Sequence, residues 1–257
     1  MAGAGVRIHE VGSVPFAVLP LGSAVDEVIR RVTVAQPTAV HFANAYTIAL
    51  ADSDLEYAAL FNRPTALNFT DGVPVAWVGR RAYGLSAQDW PRVYGPDVMQ
   101  AVFDRGHGIR HFLLGGSPQT LEALRAAVSI RWPEAEVVGA ESPPFRPLTS
   151  KEQQQQDQRI LDSGADLVWV GLGTPKQDFE AARLAESVGI VALAVGAAFD
   201  FLAGTKPQAP PWVQRSGIEW AYRFASEPRR LARRYLWGNP RFLIAAARNP
   251  GFRKSRG

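Results

Sequence analysis

From about Val11 to Ala203, short runs of β-branched and aromatic residues alternate with longer amphipathic stretches, and this alternation constrains the fold more than any other feature. Strands separated by a helix's length of chain pair most readily in parallel, because a parallel pair needs a crossover where an antiparallel pair needs only a turn. Strands are expected near 38–43 (TAVHFA), 65–69 (TALNF), 109–114 (IRHFLL), 136–140, 166–171 (DLVWVG) and 190–195 (IVALAV). Helices are expected over 23–35, 44–62, 73–83, 96–105, 118–131, 149–163 and 175–188, with Ser23 and Asp26 spaced as a capping box. The expected class is α/β, a Rossmann-like and mostly parallel sheet flanked by helices.

The pattern stops at 204–211 (GTKPQAPP), which divides the chain into an α/β domain over 1–204 and a basic, aromatic-rich, helical C-terminal appendage over 205–257. Residues 212–257 carry eleven Lys and Arg against two acids, Glu219 and Glu227, with eight aromatic residues interleaved. That segment holds +9 of a whole-chain +4, so the remainder stands at −5 and the basic character is local. Guanidinium forks with amphipathic rings suit the phosphates of a bound substrate or an anionic membrane surface, with nucleic acid a third candidate. Ser226 can cap a helix entered through Glu227 and Pro228, and Gly238-Asn239-Pro240 is expected to end it. The chain has no Cys, which removes disulfides and thiolate metal sites. Its longest uncharged apolar run, 188–199, is too short to span a bilayer and no signal series opens the chain, so a soluble or peripheral protein is expected.

Chemistry concentrates where strands end. Asp71 follows the strand ending at Phe69 and serves there either as a base toward an acceptor hydroxyl or as the N-cap of the next helix. In Gly171-Leu172-Gly173-Thr174-Pro175-Lys176-Gln177, Gly171 and Gly173 permit close backbone approach while Lys176 and Gln177 supply donors at a helix start. The string is no dinucleotide fingerprint, since Lys176 stands where G-x-G-x-x-G has its third glycine. Asp52-Ser53-Asp54 imitates a D-x-D metal site but falls inside a helical stretch, and His107 and His111 are separated by Gly108, which argues against a zinc pair on one helix. An NAD-type oxidoreductase, a nucleic-acid-binding module and an inactive scaffold remain as rivals.

Several ordered motifs add up: Asn44 after a strand, Asp71-Gly72, Arg92-Val93-Tyr94-Gly95-Pro96-Asp97, Gly171 to Gln177, Gly196-Ala197-Ala198-Phe199-Asp200, Glu219-Trp220, Arg223 and Glu227-Pro228-Arg229-Arg230. Over nearly its whole length the chain resembles the WecG/TagA/CpsF family of bacterial glycosyltransferases. The resemblance implies inverting transfer of N-acetylmannosamine or an acidic relative from a UDP-sugar to a polyprenyl-diphosphate-linked sugar at the cytoplasmic face of the membrane, with no metal required. It implies Asp71 as catalytic base, Asn44, Gln177 and Arg92 as pocket residues, and Arg223, Arg230 and Arg233 or Arg234 as a clamp over the donor diphosphate. The implied partners are the UDP-sugar donor, the lipid-linked acceptor and an anionic membrane surface, with no nucleic acid; a homo-oligomer is compatible with the sequence. Phe42, Pro74, Asp178 and Gln208 depart from the family's usual Thr, Gly, Glu and Arg.

Overall fold

The computed structural model describes residues 6–216, 219–226 and 228–248, with backbone only for Pro211, Gln214, Arg215, Arg223, Ser226, Arg230 and Arg233. In chain order the elements are β1 (Ile8–Val11), β2 (Val14–Ala17), α1 (Leu21–Thr33), β3 (Thr38–Ala43), α2 (Ala45–Ala51), α3 (Leu55–Leu60), β4 (Ala66–Thr70) and α4 (Val73–Tyr83). They continue as α5 (Gly95–Arg105), β5 (Arg110–Gly115), α6 (Pro118–Arg131), β6 (Glu136–Glu141), α7 (Ser150–Asp162), β7 (Leu167–Gly171), α8 (Lys176–Ser187) and β8 (Val191–Ala194). Four helices complete the chain: α9 (Ala198–Leu202), α10 (Pro211–Ser216), α11 (Glu219–Ser226) and α12 (Pro228–Ala247).

Six strands form the expected parallel sheet in the order β4-β3-β8-β7-β5-β6. Strands covered by helices on both faces must be apolar along their whole length. Accordingly every residue of β3 and β8 is buried, and Val168 of β7 lies in register with Phe112 of β5 and Ala192 of β8. The edge strand β6 is only partly buried. In such a sheet ligands gather beyond the carboxyl ends of the strands.

The chain forms two compact units: Met1–Ala24, Phe42–Tyr94 and Gln208–Gly257 make one, Val25–His41 and Gly95–Pro207 the other. In the first unit β1 and β2 pair as an antiparallel hairpin, Val11 opposite Val14, around Gly12 at φ 64°. The sequence pattern did not reveal these four-residue strands. The single helix expected over 44–62 is two, because Asp54 caps a new start by accepting from Tyr57 N–H at 3.1 Å. Ser23 is no cap: α1 begins two residues earlier, and Asp26 pairs with Arg105. Thr149 and Glu152 do form a capping box, at the start of α7.

The largest departure is α12, expected to end at Gly238-Asn239-Pro240 but continuing through Pro240 to Ala247. An interior proline costs about 3 kcal/mol or more. Offsetting it, Phe242, Ala245 and Ala246 are buried, and Arg241 and Arg248 both reach Asp52, the C-cap residue of α2, at 2.9 and 3.3 Å. Burying one large apolar side chain is worth about 1.5–3 kcal/mol, so this anchorage outweighs the lost backbone bond. Gly238 serves close approach here and does not terminate the helix, since a Cβ on it would sit 2.9 Å from the Tyr46 ring.

Candidate active site

At the end of β4 the Asp71 N–H donates to the Ala43 carbonyl at 3.0 Å, and the next residue, Gly72, is the N-cap of α4 with extended backbone and no side-chain cap bond. The capping alternative for Asp71 is therefore overturned: the helix starts one residue too late for its carboxylate to cap it. Pro74 falls in the first turn of α4, where a missing N–H costs nothing. A Cβ on Gly72 would lie 3.4 Å from the Asn44 Cβ, so this corner and Asn44 are neighbours. Asn44 Oδ1 accepts from Tyr46 and Thr47 N–H at 3.0 and 3.4 Å, while Asn44 N–H donates to Thr47 Oγ1 at 3.3 Å, a capping box on α2. With that oxygen committed, Asn44 has its amide N–H donors left to offer a substrate. Phe42 packs its ring against Phe69 in the core.

Arg92 is the hub of this corner. Trp90 Nε1–H donates to Thr70 Oγ1 at 2.8 Å and Val93 N–H to the Thr70 carbonyl at 2.8 Å, which ties the chain on both sides of Arg92 to the end of β4. Arg92 Nε–H then donates to the Asp71 carbonyl at 2.6 Å, and its guanidinium lies 2.8 Å from Glu219 Oε2 and 3.9 Å from Asp71 Oδ1. The same guanidinium covers the Tyr94 ring at 3.9 Å, and Tyr94 O–H donates to Glu219 Oε1 at 3.0 Å. Burial works against the charge on Arg92, but the Asp71 and Glu219 carboxylates outweigh it and raise the guanidinium above its ordinary range. A carboxylate at a strand end, beside a fixed cation, is an arrangement suited to taking a proton from a substrate hydroxyl.

In the second unit, the turns after β5 and β7 touch. Gly115, at φ 121°, has no room for a Cβ, which would meet the Gly171 backbone at 2.6 Å. The bare face of Gly171 is filled by the Phe199 ring, 2.7 Å from where a Cβ would stand, whereas Gly173, at φ 77°, faces open space. Thr174-Pro175 is a cis peptide. Lys176, the exposed first residue of α8, follows it. Gln177 is 5% exposed, donates through Nε2 to the Ala194 carbonyl at 2.9 Å, and leaves Oε1 buried without a hydrogen-bond partner. Beside it, Asp178 Oδ1 lies 3.0 Å from His41 Nδ1 in a buried pair joining α8 to β3.

The family model for the glycosyl transferases WecG/TagA/CpsF matches residues 9–256. The chain belongs to that family. It is a glycosyltransferase, and the family's work is cell-surface polysaccharide synthesis.

Among the predicted site residues of this glycosyltransferase, Asn44, Asp71 and Arg92 come together in the first unit, and Gly171, Gly173, Lys176 and Gln177 in the second. Arg234, on α12, places its guanidinium 5.0 Å from the Tyr46 ring at the start of α2. Arg223 stands on α11 and Arg230 and Arg233 on α12, but their side chains lie outside the described residues. In Asp52-Ser53-Asp54 both carboxylates are engaged by the fold: Asp52 is paired with Arg241 and Arg248, and Asp54 caps α3. His107 and His111 part company as well, His107 facing Glu134 at 3.2 Å on the surface and His111 accepting from Trp169 Nε1–H at 3.2 Å in the core. Sequence reasoning missed Glu219 and Tyr94 as partners of Arg92. The available signal was Glu219 itself, one of two acids among eleven cations.

Proposed function

We propose that this glycosyltransferase moves N-acetylmannosamine, or an acidic relative of it, from a UDP-sugar to a polyprenyl-diphosphate-linked sugar, with inversion, at the inner face of the cytoplasmic membrane. The observation that carries the reading is Asp71, which sits at the end of β4 without a capping role and 3.9 Å from Arg92. In the proposed reaction the Asp71 carboxylate accepts the proton of the acceptor hydroxyl, the freed oxygen bonds to the anomeric carbon, and the bond from that carbon to the UDP oxygen breaks, its electrons leaving with UDP. One displacement on one face inverts the anomeric centre. Charge growing on UDP favours preorganised cations, and the tail arginines are assigned that work in place of a divalent metal.

Support for the membrane side comes from α12. Leu236, Trp237, Leu243 and Ile244 are exposed on one side of it, while Leu231, Phe242, Ala245 and Ala246 are buried on the other. Among the described residues no helix is long and apolar enough to cross a membrane. An amphipathic helix with basic residues at one end suits the headgroup level of an anionic surface. The test is a panel of UDP-sugars with a synthetic lipid-linked acceptor, scored by UDP release, by product anomer in NMR, and with excess EDTA. UDP release on one donor that survives EDTA and gives the inverted anomer is expected. A retained anomer, or full loss on chelation with recovery on Mg²⁺, would overturn the mechanism.

A further inference from the structure

Helix α8 starts without a capping side chain: Pro175 occupies its N-cap position and no side-chain bond closes the first turn. Helix ends fray unless side chains or packing hold them. Two consecutive buried residues do that here. Gln177 donates through Nε2 to the Ala194 carbonyl at 2.9 Å, and Asp178 Oδ1 lies 3.0 Å from His41 Nδ1. Ala194 of β8 and His41 of β3 are register partners, so both bonds end on the same rung of the sheet. A carboxylate only accepts, so His41 Nδ1 carries the proton of its bond.

The same logic fixes the Gln177 amide. The Ala194 carbonyl takes a donor, which commits Nε2 and leaves Oε1 as the atom on offer. That oxygen is buried without a hydrogen-bond partner among the described residues, 2.9 Å from where a Cβ on Gly196 would stand. An unmet buried acceptor is costly, and its cost is recovered when a donor arrives. We propose that His41 and Asp178 are positioning residues for the transfer: they hold the first turn of α8 so that Gln177 Oε1 accepts a hydrogen bond from an N–H or O–H of the substrate sugar. This rests on the UDP-sugar reading above. Both act through Gln177, since their own side chains are buried against each other.

The test uses the full-length protein with UDP-N-acetylmannosamine, its acidic relative and a synthetic lipid-linked acceptor. Removing one partner strands the other in the core, so the two are replaced together: His41→Leu with Asp178→Leu leaves no buried charge and should melt within a few degrees of the wild type. Its kcat/KM should fall about tenfold, and that of Gln177→Ala at least as far. Adding Gln177→Ala to the double variant should cost no more than Gln177→Ala alone, because the pair acts only through that amide. Asp178→Asn, which keeps an accepting oxygen, should recover most of the loss. In NMR the two Gln177 side-chain amide protons should be well separated and slow to exchange in the wild type, and should converge and exchange fast in the double variant. Asp178→Ala gives the same rate and amide readings should the double variant not fold. An undisturbed amide, an undiminished rate, or losses that multiply with that of Gln177→Ala overturn the positioning role and leave the donor reading standing. A wild-type protein that turns over neither donor overturns both.

Discussion

Arg92 and Glu219 offer the most exacting perturbation. Arg92 is 17% exposed and Glu219 15%, and they meet at 2.8 Å beneath the Tyr94 hydroxyl. A hydrogen bond between charged groups is worth about 1.5–3 kcal/mol, and so little exposure leaves water slight opportunity to screen it. Taking about 2 kcal/mol, and 2–4 °C per kcal/mol for a chain of this size, Arg92→Ala or Glu219→Ala should each lower the melting temperature by about 4–8 °C. The double variant should cost little more than one single, because the second change removes a group whose partner has already gone, giving a coupling of about 2 kcal/mol. Activity should separate the two. Arg92→Ala also deletes the 2.6 Å bond to the Asp71 carbonyl and the charge beside its carboxylate, so kcat should fall about tenfold or more below that of Glu219→Ala. Thermal melts of the four proteins in one buffer, with saturating-substrate rates on the same preparations, decide it. Additive melting shifts, or equal kcat in the two single variants, would refute the linked arrangement.

Asp71→Asn should keep the fold by circular dichroism and lower kcat by about 10²- to 10⁴-fold; normal turnover removes Asp71 as the base. Burial pushes the His111 imidazole down to about 4 from an ordinary 6.5, so between those values the unfolded chain binds the extra proton. Stability tied to His111 is therefore complete above pH 6.5 and lost as pH falls toward 4, by about 3 kcal/mol, and His111→Gln should flatten the melting temperature over that window; an unchanged slope speaks against it. Leu243→Asp with Ile244→Asp should abolish sedimentation with anionic liposomes and leave the melting temperature within a few degrees, because both side chains are exposed; undiminished sedimentation removes α12 as the membrane face.

The sheet was legible because parallel strands buried on both faces leave a continuous apolar string, and TAVHFA, DLVWVG and IVALAV each proved to be such a strand, boundaries apart. The hairpin strand β1, buried only at Val11, leaves no comparable trace. Pro240 misled because a proline rule is a local rule, and what carries α12 past it lies far away in sequence: Asp52, held by Arg241 and Arg248. The same distance hid Glu219 from Arg92, 127 residues apart.

At the candidate site the residue types were readable but their division of labour was not. An Asp-Gly pair at a strand end can spend its carboxylate on the helix or keep it for chemistry, and a shift of one residue in the helix start decides which. Here the cap of α4 is Gly72. Ending the strand segment with a glycine cap, which offers no side-chain acceptor, lets the chain approach Asn44 closely and moves the first helical residue to Val73. Helix N-termini usually recruit a side-chain acceptor, and doing without one typically costs only a few tenths of a kcal/mol when glycine takes the place. Against that small cost stands a carboxylate left beside Arg92. Asn44 shows the opposite allocation 27 residues earlier, with its oxygen committed to capping α2. Two strand ends of one sheet thus carry an oxygen acceptor each: that of Asn44 caps the helix that follows it, and that of Asp71 does not.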